Sequence, residues 1–346
     1  MRRIRIGVVG AGYMGTLHAS KLAQLDSDGG SVSLRGIVDI KPERAQLVSQ
    51  RFGVPAYEEI APLLSDVDAL VVAVPTGDHF KVVDRALRSG VDVLVEKPIA
   101  ASVEEAASLI ETARRYRCVL QVGHLEWFNS AMDVIRDHFR RPRYAEAQRI
   151  GPMPDRLIDL DVVRDLMIHD LDILQQLLGD EPVEVEAVGT PVLTPNVDIA
   201  NARLLYPCGC VANLTASRVS SHPIRTIRFF EPEATVEVDF LRQAGSVTRR
   251  IPRSLGGAPE IQEQAIDVIP GDALLEQLHA FVDSIRGRTR PRVDGQSGLG
   301  ALRTAIRVRQ AIDESLSGIR ASADWPAARP LMPEAIRSLE TAESQE

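Results

Sequence analysis

Apolar and polar positions recur along this chain with two periods, and the balance between them changes near residue 124. Before it, short apolar runs alternate with stretches in which apolar residues return every three or four positions. Runs beginning at Ile4 and covering residues 32–40, 69–74, 91–95 and 119–124 predict strands. Residues 16–25, 42–51, 58–64 and 80–89 predict helices, and another begins at Ser102, with Glu105 at capping-box distance. Residues 69–74 are wholly apolar, as expected for the centre of a parallel sheet covered on both faces.

Beyond residue 124 the order changes. A helix over 131–139, a strand over 144–150 and a proline-bearing loop over 151–156 lead to a mostly apolar helix around 165–178. Strand patterns follow at 183–193, 198–206, 210–219, 226–230, 235–240 and 246–251. Short connections make them an antiparallel sheet. Residues 273–286 and 298–316 predict the last helices, and the chain from Ser322 reads as a flexible or loosely packed extension. The expected fold class is α/β. A doubly wound Rossmann domain (residues 1–123) precedes an α+β domain on a large open, mostly antiparallel sheet (124–318), then a tail (319–346). Helices would cover one face of that sheet. The other is expected to be apolar and buried in a homo-oligomer, a dimer or tetramer.

Composition narrows the function classes. The 346 residues carry a formal net charge of -8 and no basic stripe, so nucleic acid is not an expected partner. The apolar runs are strand-length, which excludes a membrane span, and the glycine turn breaks the run after Arg2-Arg3 too soon for an export signal. Cys118, Cys208 and Cys210 lack C-x-x-C spacing and point to a reduced, cytoplasmic protein. Cys208-Gly209-Cys210 reads as a hairpin turn rather than a metal grip, and no metal is expected.

Candidate chemistry gathers at predicted strand ends. Gly10-Ala11-Gly12-Tyr13-Met14-Gly15 joins a strand to a helix with G-x-G-x-x-G spacing, the arrangement that brings a pyrophosphate to backbone N–H groups at a helix N-terminus. Asp39 ends the second strand, where a carboxylate accepts ribose hydroxyls and repels a 2′-phosphate. NAD is therefore expected over NADP, although Lys41 and Arg44 stand nearby. Pro75-Thr76 and His79 follow the third apolar strand, and Glu96-Lys97-Pro98 follows the next. A lysine there can reach over a nicotinamide, and the proline fixes the local backbone. His124, Glu126 and Asn129 lie between aromatic residues after residues 119–123. Asp165, His169 and Asp172, at i, i+4 and i+7, predict a carboxylate-histidine stripe facing a cleft. A solvated helix face or a zinc site would use the same residues, but no known zinc spacing is present.

Gly10–Gly15, Glu96-Lys97-Pro98, Gly123-His124-x-Glu126 and Asp165-x-x-x-His169 together resemble the sugar dehydrogenase family of the Gfo/Idh/MocA type, which includes glucose–fructose oxidoreductase and inositol 2-dehydrogenase. The resemblance runs to about Leu316. It implies that Lys97, Asp165 and His169 line a substrate site, and that the second sheet makes oligomers. The longer motifs look like the branch acting on nucleotide-linked amino sugars, of the UDP-N-acetylglucosamine 3-dehydrogenase type. Trp127 and Ser130 stand where that branch often has Arg and Pro.

Hydride transfer from a secondary alcohol needs an acceptor for the hydroxyl proton. His169 is the natural base; Lys97 would position the hydroxyl, stabilise the developing charge on oxygen or relay the proton, and Asp165 would orient the histidine or hold a neighbouring hydroxyl. The reverse assignment requires a strongly lowered lysine pKa. Glu126, Asn129 and Arg149 are the further candidate substrate contacts. Arg149, Arg156 and Arg164 would serve a diphosphate. A dehydrogenase of free sugars, inositols or related polyols and a non-catalytic NAD-binding sensor are the alternatives.

Overall fold

The structure, a computed structural model, describes residues 3–27, 30–153, 160–251 and 260–321. Arg156 and the tail beyond Ala321 lie outside the described residues.

The amino-terminal half alternates strand and helix: β1 (Ile4–Val9), α1 (Tyr13–Ser27), β2 (Val32–Val38), α2 (Pro42–Phe52), β3 (Ala56–Tyr57), α3 (Ile60–Leu64), β4 (Ala69–Val72), α4 (Thr76–Arg88), β5 (Asp92–Glu96), α5 (Val103–Tyr116) and β6 (Leu120–Gly123). Local chemistry sets the ends. Pro42 opens α2 and Gly53 closes it at φ 67°. The Ser102 hydroxyl accepts from the Glu105 N–H, and the Glu105 carboxylate accepts from the Ala101 N–H, which starts α5.

The strands form one parallel sheet in the order β3-β2-β1-β4-β5-β6. The order reverses between β1 and β4, and the crevice at their carboxyl ends is where such sheets bind ligands. Ile6, Val8, Ala69, Val71 and Leu94 pack on one face with Ala19 and Leu22 of α1. Leu70, Val72, Val93 and Val95 pack on the other.

The chain then passes through a 3-10 turn (Leu125–Phe128), α6 (Met132–His138), β7 (Tyr144–Ile150), a π-helical turn (Val163–Met167) and α7 (Ile168–Leu178). Strands β8 (Glu184–Thr190), β9 (Ile199–Leu205), β10 (Val211–Ser217), β11 (Ile224–Phe230), β12 (Ala234–Asp239), β13 (Ala244–Ile251) and β14 (Glu260–Ile266) follow. With β7 they make an eight-stranded sheet ordered β14-β13-β12-β11-β7-β10-β9-β8. Within this sheet only the β7–β10 pair is parallel among the described ladders. The Cys208-Gly209-Cys210 segment is the expected hairpin turn: Gly209 takes φ 81° between β9 and β10. Strands β3 and β14 were not expected. The first has two residues, and the second is polar and exposed along nearly its whole length, so neither carries a burial signal.

Two closing helices tie the halves together. Phe281, Val282 and Ile285 of α8 (Ala273–Gly287) enter the core beside β1 and α1. Helix α9 (Gly295–Ala321), longer than expected at both ends, packs on β8, α7 and α5.

The expected apolar open face is corrected. Inward residues such as Ala145, Ala147, Ala202, Leu214, Ile227 and Phe229 are buried. Outward positions carry a polar ladder instead: Glu186 with Arg203, Asn213 with Tyr144, and Arg228 with Glu237. Alternation alone cannot separate a polar outer face from one built to meet a partner.

Candidate active site

The glycine turn is built as its spacing requires. Gly10 takes φ 99°, and a Cβ there would lie 2.5 Å from the Ala73 carbonyl oxygen. A Cβ on Gly15 would lie 1.7 Å from the Gly10 oxygen, so α1 could not start where it does. At Gly12 a Cβ would meet no heavy atom within 4 Å. The fold itself does not demand that glycine. A ligand passing close to the backbone does. Asp39 stands beside the turn, its carboxylate accepting from Ala11 N–H at 2.7 Å and Lys41 N–H at 2.8 Å. Tyr13 is exposed at the start of α1, and Met14 is half-buried next to it.

Pro75 precedes α4 at the end of β4, and Thr76 is its first residue. His79 follows in the first turn of α4. It is buried, with Nδ1 2.8 Å from the Pro98 carbonyl and Nε2 3.0 Å from that of Val74, and burial holds its pKa below the usual value. It ties α4 to the turn after β5. That turn contains a cis Lys97–Pro98 peptide. Glu96 is engaged within the first domain. Its carboxylate lies 2.7 Å from His18 Nε2, and both groups are buried. His18, on the buried face of α1, carried no signal beyond a lone histidine at helical spacing.

Lys97 reaches across to the second domain. Its ammonium donates to the Asp165 carbonyl at 2.6 Å and to Asp165 Oδ1 at 3.0 Å. The π-helical turn presents Asp165, and His169 follows in the first turn of α7. His169 meets His124 edge to face at 5.9 Å between ring centroids. Both nitrogens of His124 and Nδ1 of His169 are buried without a hydrogen-bond partner. Burial first, then the Lys97 charge, pushes His124 down to about 3. His169 is lowered well below 6.5 by burial, then by Lys97, Arg149, His124 and Arg225. Two neutral imidazoles thus stand beside an ammonium at the mouth of the parallel sheet, with polar atoms left for a ligand to satisfy.

The other predicted contacts take different positions. Glu126, Asn129 and Arg149 do not stand free in the cleft; their polar atoms serve one another. Arg149 is 3% exposed and donates to Glu126 at 2.6 Å and to both oxygens of Asp170 at 2.7 and 3.1 Å. Asn129 donates to Glu126 and to the Phe240 carbonyl. Burial opposes the Arg149 charge, but Asp170 and Glu126 more than offset it and its pKa is raised. Arg164 is held by Asp161 at 2.9 Å. Asp172 is also corrected: it does not face the cleft with Asp165 and His169 but is buried, accepting from Gln176 at 2.9 and 3.0 Å. His169 and Asp172 both lie in the regular part of α7, where an i, i+3 spacing leaves the two side chains with different neighbours.

The cradle at Gly12, the Asp39 carboxylate and the orphaned imidazole nitrogens all fit a dinucleotide. A parallel sheet that binds one, with Lys97 at its mouth facing Asp165 and His169 from the helix of a second domain, defines a two-domain nicotinamide-dependent oxidoreductase. The chain belongs to the GFO/IDH/MocA family: residues 4–124 match the oxidoreductase family with an NAD-binding Rossmann fold, and residues 133–237 match the GFO/IDH/MocA C-terminal domain.

Similar proteins agree with that placement. UDP-N-acetylglucosamine 3-dehydrogenase of Acidithiobacillus ferrooxidans is 37% identical over 91% of this chain and 99% of its own. Its solved structure superposes with a TM-score of 0.85 over the same shares. Myo-inositol 2-dehydrogenase of Thermotoga maritima is 24% identical over 91% of this chain and 98% of its own. Levoglucosan dehydrogenase, solved with NADH and levoglucosan, shares the fold at 15% identity and a TM-score of 0.79, covering 90% of this chain and 98% of that one.

Proposed function

We propose that this enzyme oxidises the 3-hydroxyl of the sugar of UDP-N-acetylglucosamine, with NAD as the acceptor. The observation that carries the reading is the Lys97–Asp165 pair beside neutral His169 and His124, in a chain 37% identical to a 3-dehydrogenase of that substrate over nearly its whole length. Bound nicotinamide supplies the hydride acceptor. Lys97, fixed by two oxygens of Asp165, donates to the substrate hydroxyl and stabilises negative charge as it develops there. His169 takes the hydroxyl proton at Nε2, the ring nitrogen opposite its buried Nδ1. Its lowered pKa keeps it in the basic form at neutral pH. Glu126, Arg149 and Asp170 position α7 behind it.

Gly10–Gly15, Pro75, Thr76 and His124 would hold the cofactor, and Asp39 favours NAD over NADP. Residues 1–123 form the nucleotide module and 124–318 the substrate and assembly module. The open sheet face joins copies into a homo-oligomer. Three free cysteines, one of them exposed, fit a reducing cytoplasm. The deciding experiment follows NADH absorbance with a panel of UDP-sugars, free sugars and inositols. UDP-N-acetylglucosamine should give the highest kcat/KM, with a 3-keto product. Faster turnover of a free sugar or an inositol would overturn the substrate assignment.

A further inference from the structure

Arg225 is the second residue of β11 and pairs in register with Arg149 near the carboxyl end of β7. It precedes buried Ile227 and Phe229 by two and four residues, so it projects from the same helix-covered face of the sheet. Its neighbours differ from those of Arg149. Arg149 is buried and fully paired, whereas the Arg225 side chain is 46% exposed. Among the described residues its guanidinium makes no hydrogen bond, and its ion-pair contact is Glu126 Oε1 at 3.9 Å. Glu126 does not need it, since Arg149 and Asn129 already donate to that carboxylate. Arg225 therefore stands at the outer end of a chain of contacts that runs through Glu126, Arg149 and Asp170 to α7, one residue from His169. Its charge also reaches His169, where it helps hold the imidazole neutral.

We propose that Arg225 is the diphosphate-binding residue of the substrate cleft, the contact that separates nucleotide-linked sugars from free ones. The inference rests on the nucleotide-sugar reading above. A guanidinium presents paired N–H donors that match phosphate oxygens, and a half-exposed one gives up little hydration to bind them. The buried Glu126 carboxylate lies 3.9 Å behind it and leaves its donors unused. Sequence reasoning looked to Arg149, Arg156 and Arg164 for this contact; Arg149 and Arg164 are committed to carboxylates within the fold, and Arg156 lies outside the described residues. Arg225 showed no signal in the sequence because its strand partner and its cleft-side facing are both set by the sheet register.

The test uses the full-length chain loaded with NAD. Arg225→Gln should raise KM for UDP-N-acetylglucosamine about 10- to 100-fold and weaken competitive inhibition by UDP to the same degree, while kcat changes about threefold or less. Arg225→Lys, which keeps the charge, should recover most of the loss. If Arg225 instead serves only to balance Glu126, Arg225→Gln will leave both KM and the UDP inhibition constant unchanged, and that outcome overturns the inference. A wild-type enzyme that oxidises a free sugar or inositol and is not inhibited by UDP overturns the nucleotide-sugar reading itself. The two failures are thereby told apart: the first appears in the variant alone, the second in the wild type.

Discussion

In the proposed mechanism Lys97 and His169 divide two tasks that the sequence could not apportion. Lys97 is tied to Asp165 through two hydrogen bonds, the arrangement of a charged donor. His169 is held neutral by burial and by surrounding cations, the arrangement of an acceptor. Lys97→Ala and His169→Ala should each lower kcat by roughly 100-fold or more, with NAD affinity nearly unchanged. Because they share one proton path, the double variant should be little worse than the worse single one. Fully multiplicative losses would separate their roles. The pH profile tests His169 independently. Oxidation needs its unprotonated form, and its pKa lies below the ordinary 6.5, so activity should persist through pH 6.5 and fail only under more acid conditions. An acid limb at or above 6.5 that vanishes in His169→Asn would contradict the assigned environment.

At the scale of elements, the strand ends were legible and the helix phase was not. Glu96-Lys97-Pro98 and Gly10–Gly15 announce themselves because each needs a residue type the fold alone would not choose. The turn over Val163–Met167 did not, since a π-helical turn leaves no mark on an apolar pattern counted at 3.6 residues. In the regular helix that follows, Asp172 is a carboxylate placed in the core whose pKa rises to about 7, mainly through burial and further through the charge of Asp294. In the unfolded chain that group titrates near its ordinary value of 3.8. Between these two values the folded state holds a proton that the unfolded state has released. The stabilising contribution of Asp172 is therefore complete below about pH 4 and is lost as pH rises through about 7. Asp172→Asn, which cannot ionise, should melt above the wild type at pH 8 and show a shallower fall in Tm from pH 5 to 8. Parallel Tm curves for the two proteins would mean that Asp172 is already ionised at pH 5.

At the scale of the whole molecule, the sequence revealed both sheets but neither how they join nor what the open face looks like. Period and punctuation are local signals. The docking of α8 onto the amino-terminal sheet depends on contacts between residues more than 250 positions apart, such as Phe281 with the β1 core. The open face shows the same limit. Its outward residues are ordinary polar positions singly, but register aligns Arg228 between Glu146 and Glu237 and Arg203 between Glu186 and Asn213. A second copy meeting this face would bring those rows together, and rows of mixed sign can match only in a restricted set of orientations. Apolar area is available at the rim, where Val188, Val192 and Leu193 are exposed. An interface of this composition should be stable at low salt and weaken as ionic strength rises, unlike one driven by apolar burial. Sedimentation at micromolar concentration should therefore find a dimer or tetramer in 50 mM salt, with measurable dissociation in 1 M. Arg228→Glu, which sets three carboxylates side by side across β7, β11 and β12, should shift the protein toward monomer even at low salt while NAD binding at the distant glycine turn is retained. A wild-type monomer at low salt would remove the open face as an assembly surface, and an oligomer indifferent to both salt and Arg228→Glu would move the interface elsewhere on the molecule.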